Sequence, residues 1–245
     1  MKIQITSYIN NLSDKDRLDL TIEIINNTKA DLLLFSGHTI GFVNDIEILS
    51  SKINNTKSEV IFELKDVNSK FISNCLYHIK NNEIRSLNTN QIFSESIEIE
   101  GNHELADRLL FEFENRRKIK IKKLSILIIQ CGEINILRNI QSKDNKVLFR
   151  FANNQKLNDR FDKLLSKVDI ILNPIHSPMG NQGKMHKRRL FLSKEGKYYF
   201  STSNTKNNSD NLSLKSLQYA YKDGEELIEI EKIENENSIS RIYEI

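Results

Sequence analysis

Cys131 is the residue whose setting most invites chemistry. It follows an apolar run, Ile126 to Ile129, and is itself followed by Gly132 and Glu133. A thiol at the end of such a run can attack an electrophilic carbon when a neighbouring group takes its proton. The plainer reading is a small buried hydrophobe, which also suits Cys75. Two histidines occupy comparable places, His38 after Ser36-Gly37 and His176 after Asn173-Pro174-Ile175. His38 is a candidate catalytic base for the thiol, or else a turn residue capping the next helix. His176 is a candidate to bind substrate or orient Cys131, or else a loop histidine. Glu133 is a candidate carboxylate of a catalytic site, or an acid favoured by a helix N-terminus. Lys184, Lys187, Arg188 and Arg189 form the densest basic cluster. From it Lys184 and Arg188 are candidate substrate-binding groups, against the alternative of a solvated helix face.

These groups need elements to place them. Residues 2–8 alternate and are β-branched, and Ser13 with Asp16 opens a helix carrying Leu18, Ile22 and Ile25 on one face. Residues 30–36 form an apolar run of the kind buried on both faces of a sheet, and a helical pattern with Val43, Ile46 and Ile53 follows. Strand-like runs at 58–64 and 71–79 come next, the latter turning at Lys80-Asn81-Asn82-Glu83 into a further strand towards Phe93. Leu105, Leu109, Leu110 and Phe113 mark an amphipathic helix. A single long strand is expected from Lys118 to Cys131. A helix through Leu157, Phe161, Leu164 and Leu165, a buried strand at 168–173 and a basic helix at 184–194 follow. The chain is then β at 197–203, 216–221 and 226–232, with a mobile surface loop over 204–213. Alternating strands and helices with hairpins imply an α/β fold with mixed sheets, in which ligands gather at the carboxyl ends of strands. The ends at Gly37, Cys131 and His176 are therefore expected to converge on one pocket, within a single domain over 1–245.

The 245 residues include 36 basic and 33 acidic side chains, a net charge of +3. That balance gives no field for wrapping nucleic acid, so a nucleic-acid partner is not expected. No apolar stretch approaches the roughly 18 residues of a membrane span. The N-terminal segment lacks an apolar signal core, so the expected location is cytoplasmic. No Gly-rich phosphate loop, His-Glu-x-x-His or Cys-x-x-Cys occurs, and no cofactor or metal is expected.

Three segments together resemble the nitrilase, or carbon–nitrogen hydrolase, superfamily, and the resemblance covers nearly the whole chain. ADLLLFSGHTI (30–40) resembles the family's strand that ends in its general-base Glu. LSILIIQCGEINIL (124–137) resembles the strand that ends in Cys-x-Asp or Cys-x-Glu, whose Cys is the nucleophile. VDIILNPIHSPMG (168–180) with KRRLFLSKEGKYYFSTSN (187–204) resembles the segments that close the site. The resemblance implies a four-layer α-β-β-α sandwich, a homodimer and a small amide-like substrate or ligand. It also places Gly37 where the family has its Glu and Thr89 where it has its Lys, so of the Glu-Lys-Cys triad only Cys131 remains. Two readings follow: a hydrolase of amide-type C–N bonds with a rewired base, drawn from His38 or His176, or a catalytically silent protein that keeps the fold for ligand binding or protein interaction.

Overall fold

A computed structural model describes residues 1–55, 57–65, 75–140, 146–178, 182–206 and 214–245. The chain begins β1 (Lys2–Tyr8), α1 (Asp14–Asn27), β2 (Leu32–Phe35), α2 (Asp45–Lys52), β3 (Glu59–Glu63), β4 (Leu76–Lys80) and β5 (Glu83–Ser86). It continues through α3 (Ser96–Ile99), α4 (His103–Asn115), β6 (Lys118–Ile121), β7 (Leu124–Ile128), a 3-10 turn (Cys131–Ile136), β8 (Leu137–Asn139) and β9 (Val147–Phe149). It then runs α5 (Gln155–Leu165), β10 (Ile170–Ile175), α6 (Gln182–Leu192), β11 (Tyr198–Ser203), β12 (Gln218–Lys222), β13 (Glu225–Glu226), β14 (Glu231–Glu234) and β15 (Ser238–Glu244).

Two mixed sheets result. One has the order β14-β15-β1-β2-β3-β4-β5, with β1, β2 and β3 parallel. The other has the order β13-β12-β11-β10-β7-β6, with β7, β10 and β11 parallel. Alternation along the parallel strands builds three cores. Ile3, Ile5, Leu32, Leu34 and Ile61 meet Ile126, Ile128, Ile170, Leu172 and Phe200 between the sheets. Leu33, Phe35, Val60 and Phe62 face outward onto α1 and α2. On the other side Leu127, Ile171 and Tyr199 lie under α4, α5 and α6. The layers are α-β-β-α, as the resemblance implies.

Local chemistry explains most of the elements. Ser13 caps α1 by accepting from the Asp16 N–H at 3.1 Å. Asn81 and Asn82, both at positive φ, close the β4–β5 hairpin, as the two central positions of a tight hairpin turn require. Three expectations are corrected. The strand expected over 118–131 is a hairpin, because Lys122 enters the left-handed region at φ 55° and folds β6 back on β7. The strand expected at 226–232 is divided into the short β13 and β14, and between them Ile228 is 88% exposed with no sheet to pack on. The strand expected to run towards Phe93 ends at Ser86. β15, which pairs with β1 along its whole length, went unforeseen. Most of the loop expected over 204–213 and the first part of the 71–79 strand lie outside the described residues. No helix among the described residues is long and apolar enough to cross a membrane.

Candidate active site

The carboxyl ends of β2, β3, β7 and β10 meet where the two sheets face each other. Gly37, just beyond β2, donates its N–H to the Ile175 carbonyl of β10 at 3.1 Å, which ties the sheets together here. Asn204, just beyond β11, fastens the same corner: its amide donates to the Gly37 carbonyl at 3.0 Å and its carbonyl accepts from the Tyr8 N–H at 2.9 Å. His38 and His176, each one residue past these contacts, stack with ring centroids 3.5 Å apart. Cys131 opens the 3-10 turn after β7 and is partly exposed. Its side chain neighbours His176 closely enough to act on that imidazole. The strand ends at Gly37, Cys131 and His176 thus converge.

The carboxylate of this cluster comes from β3. Along β3 the side chains alternate, so Glu63 shares the inter-sheet face of Ile61. It is wholly buried, with Oε2 at 3.0 Å from His176 Nε2 and Oε1 accepting from Gln130 Nε2 at 2.9 Å. Burial works against its charge, yet the hydrogen bonds and charge of His176, with Gln130, hold the carboxyl below its ordinary range. Burial likewise opposes the imidazolium of His176, but hydrogen bonds and charges from Cys131 and Glu63 outweigh it and push His176 up to about 10. His38 goes the other way, to about 4, through burial and then the charge of His176. Its Nε2 is buried with no partner among the described residues, and its backbone is held at φ 56°.

Gly37 is a glycine for a steric reason. A Cβ there would lie 2.2 Å from His176 Cδ2 and 2.8 Å from Glu63 Oε2. The space a side chain at 37 would use is occupied by the imidazole. Gly132 has a similar constraint, since a Cβ would fall 1.8 Å from the Ser94 carbonyl oxygen.

The other sequence candidates lie elsewhere. Glu133 is not at the thiol: it forms a wholly buried ion pair with Arg117 and accepts from the N–H groups of Ile92 at 2.7 Å and Gln130 at 3.0 Å. Burial pushes its carboxyl up, against the pull of Arg117. Thr89 belongs to the same knot, donating to Glu112 at 2.6 Å and accepting from Arg117 Nε at 2.7 Å. Arg188 turns to Asn135 and Asn139 at 2.5 and 2.9 Å, because the apolar stripe of α6 faces the outer core. Lys184 is exposed on the first turn of α6. Cys75 is buried beside Gln130, with its thiol raised by desolvation and by Glu63. Among the described residues no group of His, Cys, Asp and Glu is placed to hold a metal ion. Sequence reading missed Glu63, although a carboxylate at the carboxyl end of an apolar strand was a visible signal.

No family model matches the chain and no curated protein matches it in sequence. Solved structures do match in fold. A CN-hydrolase superfamily protein from Xanthomonas campestris, with an arsenic adduct in its active site, is 10% identical at a TM-score of 0.54, covering 100% of this chain and 91% of that one. An amidase from Nesterenkonia sp. is 9% identical at a TM-score of 0.55, covering 99% and 89%. A glutamine-dependent NAD(+) synthetase from Cytophaga hutchinsonii is 12% identical at 0.55, covering 93% of this chain and 40% of that one. What these proteins share with the chain is architecture, and the fold is that of the carbon–nitrogen hydrolases.

Proposed function

We propose that the chain is a thiol hydrolase of an amide-type C–N bond, with Cys131 as nucleophile, His176 as base and acid, and Glu63 as the group that orients and charges His176. The observation that carries this reading is His176, bonded at 3.0 Å to the buried Glu63 and raised by Glu63 and the neighbouring Cys131 together. Nucleophile, base and orienting carboxylate are the three parts that covalent acyl transfer needs.

Held charged by Glu63, His176 already carries the proton given up by the thiol before substrate arrives; with Nε2 given to Glu63, Nδ1 is the nitrogen left for it. The thiolate forms a C–S bond to the carbonyl carbon and the C–O π electrons move to oxygen. As the C–N bond breaks, the imidazolium returns the proton to the leaving nitrogen, releasing ammonia or an amine. Water then attacks the thioester, His176 takes its proton, and the carboxylic acid leaves with the thiol restored. The family's oxyanion-stabilising Lys has no equivalent at Thr89. His38, kept neutral beside the charged His176 and with an unpartnered Nε2, is the polar group at hand for that oxygen. The Nesterenkonia amidase gives a guide to reactivity, since a variant of it carries the product of Michael addition of acrylamide at its active-site cysteine.

The test is ammonia release from a panel of small aliphatic amides, with intact-mass detection of adducts after acrylamide treatment. Turnover and a Cys131 adduct are expected in the wild type and neither in Cys131→Ala. A chain that turns over none of the panel and leaves Cys131 unmodified is instead the silent protein of the second sequence reading.

A further inference from the structure

The basic residues displaced from the thiol site gather elsewhere. Arg150, just after β9, has a side chain only 7% exposed; its Nε donates to the Asn135 carbonyl at 3.0 Å and its Nη1 pairs with Glu100. Arg138 lies on β8, opposite Leu148 of β9, and Arg188 reaches the same region from α6. The three guanidinium groups act on one another. Burial and then the charge of Arg150 lower Arg188 to about 10, and Arg138 adds to the burial that lowers Arg150, against the opposing charge of Glu100.

A hollow of about 530 Å³ opens beside Arg138 and Arg150, walled further by Glu100, His103, Phe151 and Asn154. Among the described residues Glu100 is the one carboxylate on that wall, and its side chain is 58% exposed. Arg138 has no ion pair among the described residues, and its Nε is buried without a partner. A desolvated guanidinium N–H lacking an acceptor is costly, and an incoming anion relieves it. The wall also includes the start of α4, at His103, and the cap of α5, at Asn154. These helices of 13 and 11 residues add the positive ends of their dipoles.

We propose that this hollow is a binding site for a phosphate-bearing ligand, held by Arg138 and Arg150 with the starts of α4 and α5. The lining comes from four separate segments, β8, the turn after β9 and the starts of α4 and α5, and its positive charge suits a dianion better than a singly charged carboxylate. The volume exceeds that of a lone phosphate and leaves room for the small molecule that carries it. The inference does not depend on the chemistry at Cys131.

The test is calorimetric titration of the full chain with inorganic phosphate, pyrophosphate and citrate at constant ionic strength set with chloride. Saturable binding of phosphate or pyrophosphate is expected, weakened about tenfold or more in Arg138→Gln. Glu100→Gln, which removes the competing carboxylate, should bind more tightly and serves as a second variant should Arg138→Gln fold poorly. Absence of saturable phosphate and pyrophosphate binding, equal affinity in both variants and the wild type, or a preference for citrate would each overturn the proposal.

Discussion

Two buried charge clusters sit on either side of Gln130, and they differ in what they leave open. In the Arg117 knot, Glu133 and Arg117 are wholly buried, Thr89 and Glu112 are engaged with Arg117 or each other, and both Glu133 oxygens have donors. Its members answer one another. In the Glu63 cluster the carboxylate is equally buried, but its hydrogen bond leads outward to a partly exposed His176 beside a partly exposed thiol. A closed network fixes structure, whereas one ending at an accessible nucleophile stores its charge where a reaction can use it. The two residues that the family resemblance made conspicuous, Glu133 and Thr89, both belong to the closed network.

The sharpest break between the clusters is expected in stability. Glu133→Ala leaves the Arg117 charge uncompensated in the interior and should cost about 3–5 kcal/mol, measured by urea unfolding. Next in size is Gly37→Ala. Its new Cβ contests the position of the His176 ring, so strain of about 1–3 kcal/mol is expected, together with a fall in Cys131 alkylation towards that of a His176→Ala chain, read by peptide mapping. The same clash means that a side chain at 37 and the imidazole of His176 compete for one space.

A pH dependence separates the two clusters further. His176, raised towards about 10 from its ordinary 6.5, contributes stability that is complete below about 6.5 and is lost as pH rises through the folded value. Glu63, lowered from 4.5, contributes stability that is present above its ordinary value and lost as pH falls through the folded one. Both contributions are complete between these ordinary values. The stability gap between the wild type and His176→Asn should therefore be widest near about pH 5.5 and narrow as pH climbs towards 10. Urea midpoints measured across that range check it, and a gap that widens with pH would contradict it.

Much of this was legible in the chain. The apolar run at 30–36 and the run before Cys131 announced buried parallel strands, and polar residues just beyond them marked where the strands end. Glu63, the carboxylate proposed to orient His176, was hidden, because the resemblance points to the end of β2 while the residue stands at the end of the neighbouring β3. Periodicity in Glu59–Glu63 puts Ile61 and Glu63 on one face, but only sheet order reveals that this face looks towards His176. Arg117 was equally hidden: one arginine before a lysine-rich run reads as surface until its three partners are folded around it. The β6–β7 hairpin escaped notice since Lys122 adopts a positive φ without the Gly or Asn that would advertise a turn.

The central claim is that His176, held by Glu63, activates Cys131. Its most direct test is the rate of iodoacetamide modification at Cys131 and Cys75, followed by peptide mass spectrometry at neutral pH in the wild type, His176→Ala and Glu63→Gln. Wild-type Cys131 should react far faster than the buried Cys75, and either substitution should slow Cys131 by about tenfold or more, with Glu63→Gln between the other two. Equal Cys131 rates in all three folded chains would contradict it.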